Sequence, residues 1–161
     1  MDVSLIITRI IHILAGSFWI GAAIYLAVLL EPRIRSTSVD LERQLLNRTS
    51  KLNSVWITSA AVVTMFSGFA LVSMTPGRSF SELGDTAWGM MILIGLVMSV
   101  TAFFISGAAG ALTAKLRRGL DSGELDGQEL AIIRGKLTLL GYLNAMLVII
   151  AVSTMAAARY V

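Results

Sequence analysis

His12 is the only histidine in the chain. It lies in an apolar run from Thr8 to Arg33, TRIIHILAGSFWIGAAIYLAVLLEPR. An ionisable side chain inside such a run is a functional candidate by default, because removing it from water is costly. An imidazole there can ligate a metal, relay a proton, or make one interhelical hydrogen bond. Arg9 precedes it by one helical turn. Gly16 and Trp19 follow at i+4 and i+7 and share its face. Gly16 removes bulk beside the ring, as a flat macrocycle requires, or simply lets two helices approach. Arg9 can pair with a ligand's carboxylates or reach up to lipid headgroups.

The elements that carry these residues follow from composition. The chain has 161 residues, 56% hydrophobic and 14% charged, with a mean hydropathy of +0.80. A water-soluble domain carries about 25% charged residues. The charge is too sparse to coat a globule, and it is clustered. The solvent for most of this chain is the lipid bilayer. The net charge of +3 does not point to nucleic acid, because the basic residues cluster where a membrane protein keeps them. The absence of cysteine excludes disulfides, thiolate metal sites and covalently attached haem. No cleavable leader is expected, since Arg9 interrupts the start of the apolar stretch.

Four stretches have the ~20 apolar residues that spanning requires, at about 4–30, 52–74, 87–112 and 132–158. They predict an all-α protein, a transmembrane antiparallel four-helix bundle forming a single membrane domain over 1–161. Glu31 and Pro32 are expected to close the first span, because proline cannot continue a helix cheaply. Glu31 should form a solvated ion pair with Arg33 or Arg35. Thr37 and Asp40 have capping-box spacing, so the second helix should begin near Ser38, ahead of its span. Asp85 or Thr86 should cap the third helix. Gly119 to Gly127 reads as a polar turn, with Asp126 and Glu129 capping the fourth. Asn144 is expected to hydrogen-bond across helices.

Ten of the thirteen Lys and Arg flank the first and third connections: Arg33, Arg35, Arg43, Arg48, Lys51, Lys115, Arg117, Arg118, Arg134 and Lys136. The positive-inside rule makes those connections cytoplasmic, with both termini outside a plasma or inner membrane. Trp88 and Tyr160 then fall in an outer aromatic belt and Trp56 in an inner one. At 1.5 Å per residue, His12 lies ~12 Å below the outer edge of the hydrocarbon. Met65, Met91 and Met155 should be nearest that layer, with Met98 and Met146 deeper. Ser106 to Ala111 forms a small-residue stretch that permits a homo-oligomer.

The first span resembles a known family. HILAGSFWIGAAIYLAVLLEPRI is similar to the first helix of the copper-resistance-D-like integral membrane proteins, which in turn resemble the membrane protoporphyrinogen oxidase that binds haem b. Arg9, His12, Trp19 and Gly21 match a basic-x-x-His element followed by a Trp–Gly step. Ser67 and Gly68 are similar to a Thr–Gly step late in the second span. The resemblance implies haem b between the helices, with His12 as axial ligand and metal-binding residue, Arg9 at the propionates, and Gly16, Trp19, Ser67 and Gly68 lining the site. One histidine leaves a five-coordinate iron, a methionine as second ligand, or a haem shared across a dimer. The implied role is electron transfer or haem-linked redox chemistry. Two alternatives remain: a small copper transport or accessory subunit built on His12 and methionines, and a scaffold without cofactor. No HExxH, phosphate loop or triad is visible, and no carboxylate lies within the core of a span.

Overall fold

The computed structural model describes residues 2–161. Four long helices account for nearly all of them, and no strand occurs among the described residues. We label them α1 (Val3–Arg35), α2 (Val39–Met74), α3 (Ala87–Ser122) and α4 (Gly127–Tyr160). Each is long and apolar enough to cross a bilayer. Their large side chains point outward: Phe66 is 72% exposed, Phe104 70% and Leu14 66%. Such surface is tolerable only in lipid. The chain is a multi-pass membrane protein.

The helices pack as two hairpins, α1 with α2 and α3 with α4. Weaker contacts between α2 and α3 and between α1 and α4 close the ring. The central core is made of Trp19, Ala23, Ala61, Ala102, Leu147 and Val148. Small residues dominate it because lipid offers no hydrophobic drive, so close backbone approach must supply the attraction. A second core of Leu116, Ile133 and Leu137, joined by Leu46, Leu120 and Leu125, forms at the basic end. There the helices project past the hydrocarbon, and larger aliphatic side chains pack as they do in a soluble protein.

Several helix ends differ from expectation. Pro32 does not end α1. Proline's ring crowds the carbonyl of the preceding turn, and it has no N–H to donate. The stretch Tyr25–Leu30 widens into a π-helix, with Glu31 N–H donating to Leu26 O, and the helix continues to Arg35. This one-turn widening absorbs the ring. Ser38, rather than Thr37, caps α2, accepting from Leu41 N–H. The polar turn after α3 is shorter than expected. The helix runs to Ser122 and stops at Gly123, whose φ of 72° favours glycine. At 36 residues, α3 is ~54 Å long, well over the ~30 Å of hydrocarbon. Thr86 caps it, accepting from Gly89 N–H at 3.0 Å. Asp126 caps α4, accepting from Glu129 N–H at 2.7 Å. Asn144 accepts from the Ser106 hydroxyl at 3.2 Å and ties α4 to α3. Glu31 pairs with Arg35 at 2.9 Å, whereas Arg33 donates to the Leu29 carbonyl.

The α2–α3 connection folds down as a short 3-10 turn, Phe80–Leu83. Gly89 makes this possible, since a Cβ there would meet the Glu82 backbone and sit 2.7 Å from Leu83 Cα. Gly89→Ala must therefore displace the turn. We expect a loss of roughly 1–3 kcal/mol, as for overpacked cores, read as a lower thermal midpoint in detergent.

Candidate functional site

α1 is capped by Asp2, which accepts from Ser4 N–H at 2.9 Å. His12 follows nine residues into the helix, about 14 Å along its axis. Gly16, Trp19 and Ala23 continue its face and are buried. The imidazole turns toward α2. Nδ1 lies 2.9 Å from the Thr64 carbonyl and 3.2 Å from Ser67 Oγ. A carbonyl oxygen only accepts, so Nδ1 carries the hydrogen. In the neutral ring that leaves the lone pair on Nε2, which has no hydrogen-bond partner among the described residues. The Ser67 hydroxyl donates to Val63 O at 2.6 Å, so its lone pairs remain free toward the ring. This is the arrangement by which a backbone carbonyl fixes the tautomer of a metal-ligating histidine.

Gly68 brings the ring this close. A Cβ at Gly68 would stand 3.0 Å from His12 Cε1. At Gly16 a Cβ would meet the Thr64 methyl at 3.4 Å. The clearance at these two glycines is taken up by the chain's own side chains, which lets α1 and α2 approach and seats the imidazole.

Beside His12 is a cavity of about 860 Å³ between the two hairpins, lined from all four helices. That is within the roughly 300–1,000 Å³ of small-molecule and cofactor sites. Of the residues singled out in the sequence, Arg9, His12, Gly16, Trp19 and Gly68 line it. Ser67 stands behind His12 as its hydrogen-bond partner. Met65 and Met155 reach the cavity; Met91, Met98 and Met146 are not among its lining residues. The walls are otherwise mainly aliphatic and aromatic.

Two contributors were not legible as site residues. Arg159, read in the sequence only as a topology marker, lines the same cavity as Arg9. Neither arginine forms an ion pair among the described residues. The Thr64 carbonyl has no sequence signal at all, because every residue has one. The folded α2–α3 connection adds Phe80 and Leu83 to the wall, and the first turn of α3 adds Trp88. Arg78 stacks over the Trp88 ring at 4.6 Å and pairs with Glu82 at 3.8 Å, which holds that connection together.

Chemically, the cavity offers one neutral nitrogen donor, two thioethers, two guanidinium groups and a predominantly apolar wall. Among the described residues no three His, Cys, Asp or Glu side chains converge to hold an ion. Compared with models of known protein families, with curated proteins and with solved structures, the chain matches none of them.

Proposed function

We propose that this membrane-embedded cavity binds haem b, with His12 Nε2 as axial ligand, and that the protein serves electron transfer or haem-linked redox chemistry. The observation that carries this reading is the Nδ1–Thr64 carbonyl bond, which reserves Nε2 for a ligand in a cavity of cofactor size. A free metal ion needs about three or four protein donors. Haem iron comes with its ring nitrogens and needs a single strong protein ligand. One histidine suits the second case and not the first.

The chain's residues divide the work. The Thr64 carbonyl and Ser67 hydroxyl hold the imidazole in one orientation. Arg9 and Arg159 supply positive charge for a ligand's two carboxylates. The aliphatic wall excludes water, and Met65 and Met155 are the thioethers within the cavity. Bound iron would supply one-electron chemistry, at a potential set by the axial ligand and the apolar surroundings. The distribution of Lys and Arg supports an orientation with the cavity, and both termini, on the outer side of a plasma or inner membrane.

The test is a titration of the purified protein in detergent with hemin. We expect a red-shifted Soret band that saturates near one equivalent. A spectrum that stays that of hemin in empty micelles overturns the proposal. Metal analysis of the same preparation separates the copper reading, which rests on Met65 and Met155 sharing the cavity with His12: stoichiometric copper without a Soret band would favour it.

A further inference from the structure

The Asn47 amide donates to the Asp121 carboxylate at 2.8 Å and sets the register of α2 against α3. The helical period then fixes which residues face the seam between them. On α2 that face continues inward from Asn47 through Lys51, Ser54, Thr58 and Ala61. On α3 it runs back from Asp121 through Arg117, Ala114, Gly110 and Gly107. A cavity of about 300 Å³ has Thr58, Ala61 and Gly107 in its wall, with Trp19 and Phe104, which agrees with this register. A Cβ at Gly107 or Gly110 would meet nothing within 4 Å. The seam is therefore an open and mainly apolar groove on the lipid-facing surface.

The basic end of this groove carries charge that the protein does not neutralise. Lys51 and Arg117 stand across the seam from each other, one turn inward from the Asn47–Asp121 bond. Neither forms an ion pair among the described residues. Lys51 is exposed. Arg117 has its Nε buried without a hydrogen-bond partner, so its guanidinium is held at the bundle rather than swung free into water. Asp121, the carboxylate one turn outward, is already engaged by Asn47. Elsewhere at this end Arg35, Arg43 and Arg134 are each paired with a carboxylate.

Depth decides what fits. α2 carries no charge between Lys51 and Arg78, and α3 none from Thr86 to Ala114. The two cations thus stand at the edge of the hydrocarbon, in the headgroup layer. Thr58 lies seven residues further in, about 10 Å, so the apolar groove begins at acyl-chain depth. We infer that the α2–α3 seam binds one anionic phospholipid, with its phosphate between Lys51 and Arg117 and an acyl chain in the groove beside Trp19. Charge complementarity selects the head, as in other basic pockets between spans. A zwitterionic lipid brings its own cation against these two and is disfavoured. The site does not depend on what the His12 cavity holds.

The experiment uses the full chain with Trp56→Phe and Trp88→Phe, in phosphatidylcholine nanodiscs, so that Trp19 is the only tryptophan. Acyl-brominated phosphatidylglycerol and acyl-brominated phosphatidylcholine are compared as quenchers of its fluorescence. Phosphatidylglycerol should quench Trp19 saturably, at a mole fraction about tenfold lower or more, since each cation contributes roughly fivefold. Lys51→Gln/Arg117→Gln should remove that preference. Gly107→Leu should remove it as well, by filling the groove. The charge-matched pair Arg33→Gln/Lys136→Gln, away from the seam, should keep it. Equal quenching by the two lipids overturns the inference, since the groove would then be an unselective acyl-chain slot. A preference that survives Lys51→Gln/Arg117→Gln or Gly107→Leu overturns it too. So does equal loss in Arg33→Gln/Lys136→Gln, which would trace the preference to the general surface potential.

Discussion

His12→Ala protein is expected to bind no hemin in the Soret titration, while keeping its helical content and its elution volume in detergent. The large effect on ligand and small effect on fold have the same origin. The imidazole contributes one neutral hydrogen bond between α1 and α2, at 2.9 Å, worth about 1 kcal/mol. To a bound haem it would contribute the axial bond. Imidazole added to His12→Gly protein should restore the band, because the vacated space lies beside Gly68 and opens on the cavity. Gly68→Ala isolates the positioning role. Its Cβ would stand 3.0 Å from Cε1 and press the ring a few tenths of an ångström off its seat on α2 without removing the ligand. Loss of such outer support costs metal sites about 10–100-fold in affinity, so Gly68→Ala should bind hemin weakly rather than not at all. If His12→Ala binds as well as the parent protein, the axial role of His12 is disproved.

Arg134→Met should be the most destabilising single change at the basic end. Glu42 is 2% exposed. Arg134 donates to both of its carboxylate oxygens, joining the first turns of α2 to those of α4. Removing the arginine strands a buried carboxylate, at a cost of about 3–5 kcal/mol. That lowers the thermal midpoint by roughly 10 °C for a chain of this size. The double variant Glu42→Leu/Arg134→Met should recover most of the loss, because a well-packed apolar pair often equals a buried ion pair. The second core of Leu116, Ile133 and Leu137 supplies that apolar setting. A double variant as unstable as Arg134→Met would show that the pair acts through specificity rather than through charge burial. The surface pairs are different: Arg43 with Asp40 should contribute less than about 1 kcal/mol.

The fold was readable because lipid imposes a simple condition. Every backbone group must be satisfied within a segment, so four apolar stretches of spanning length leave little but four helices. The caps at Thr86 and Asp126 were readable for a local reason: the cap and its N–H partner lie three residues apart; at α2 the same spacing also fitted Thr37, one residue before the Ser38 that caps it. Pro32 was misleading because its effect depends on whether the turn before it can widen, which residue type does not specify. The end of α3 was misleading because a polar sequence past the hydrocarbon can stay helical when Leu116 and Leu120 find a core to pack against.

The sequence by itself determined the solvent, the number of spans and the face of α1 that carries Arg9, His12, Gly16 and Trp19. These depend on composition and on the 3.6-residue period, both local properties. Only the tertiary structure decided which nitrogen of His12 is free, because the partner is a backbone carbonyl 52 residues away. It also decided that Arg159, at the far end of the chain, stands at the same cavity as Arg9. It paired Glu42 with Arg134 across 92 residues and left Trp19 Nε1 without a partner. Long-range pairings of this kind depend on how two hairpins dock, and helix period carries no record of that.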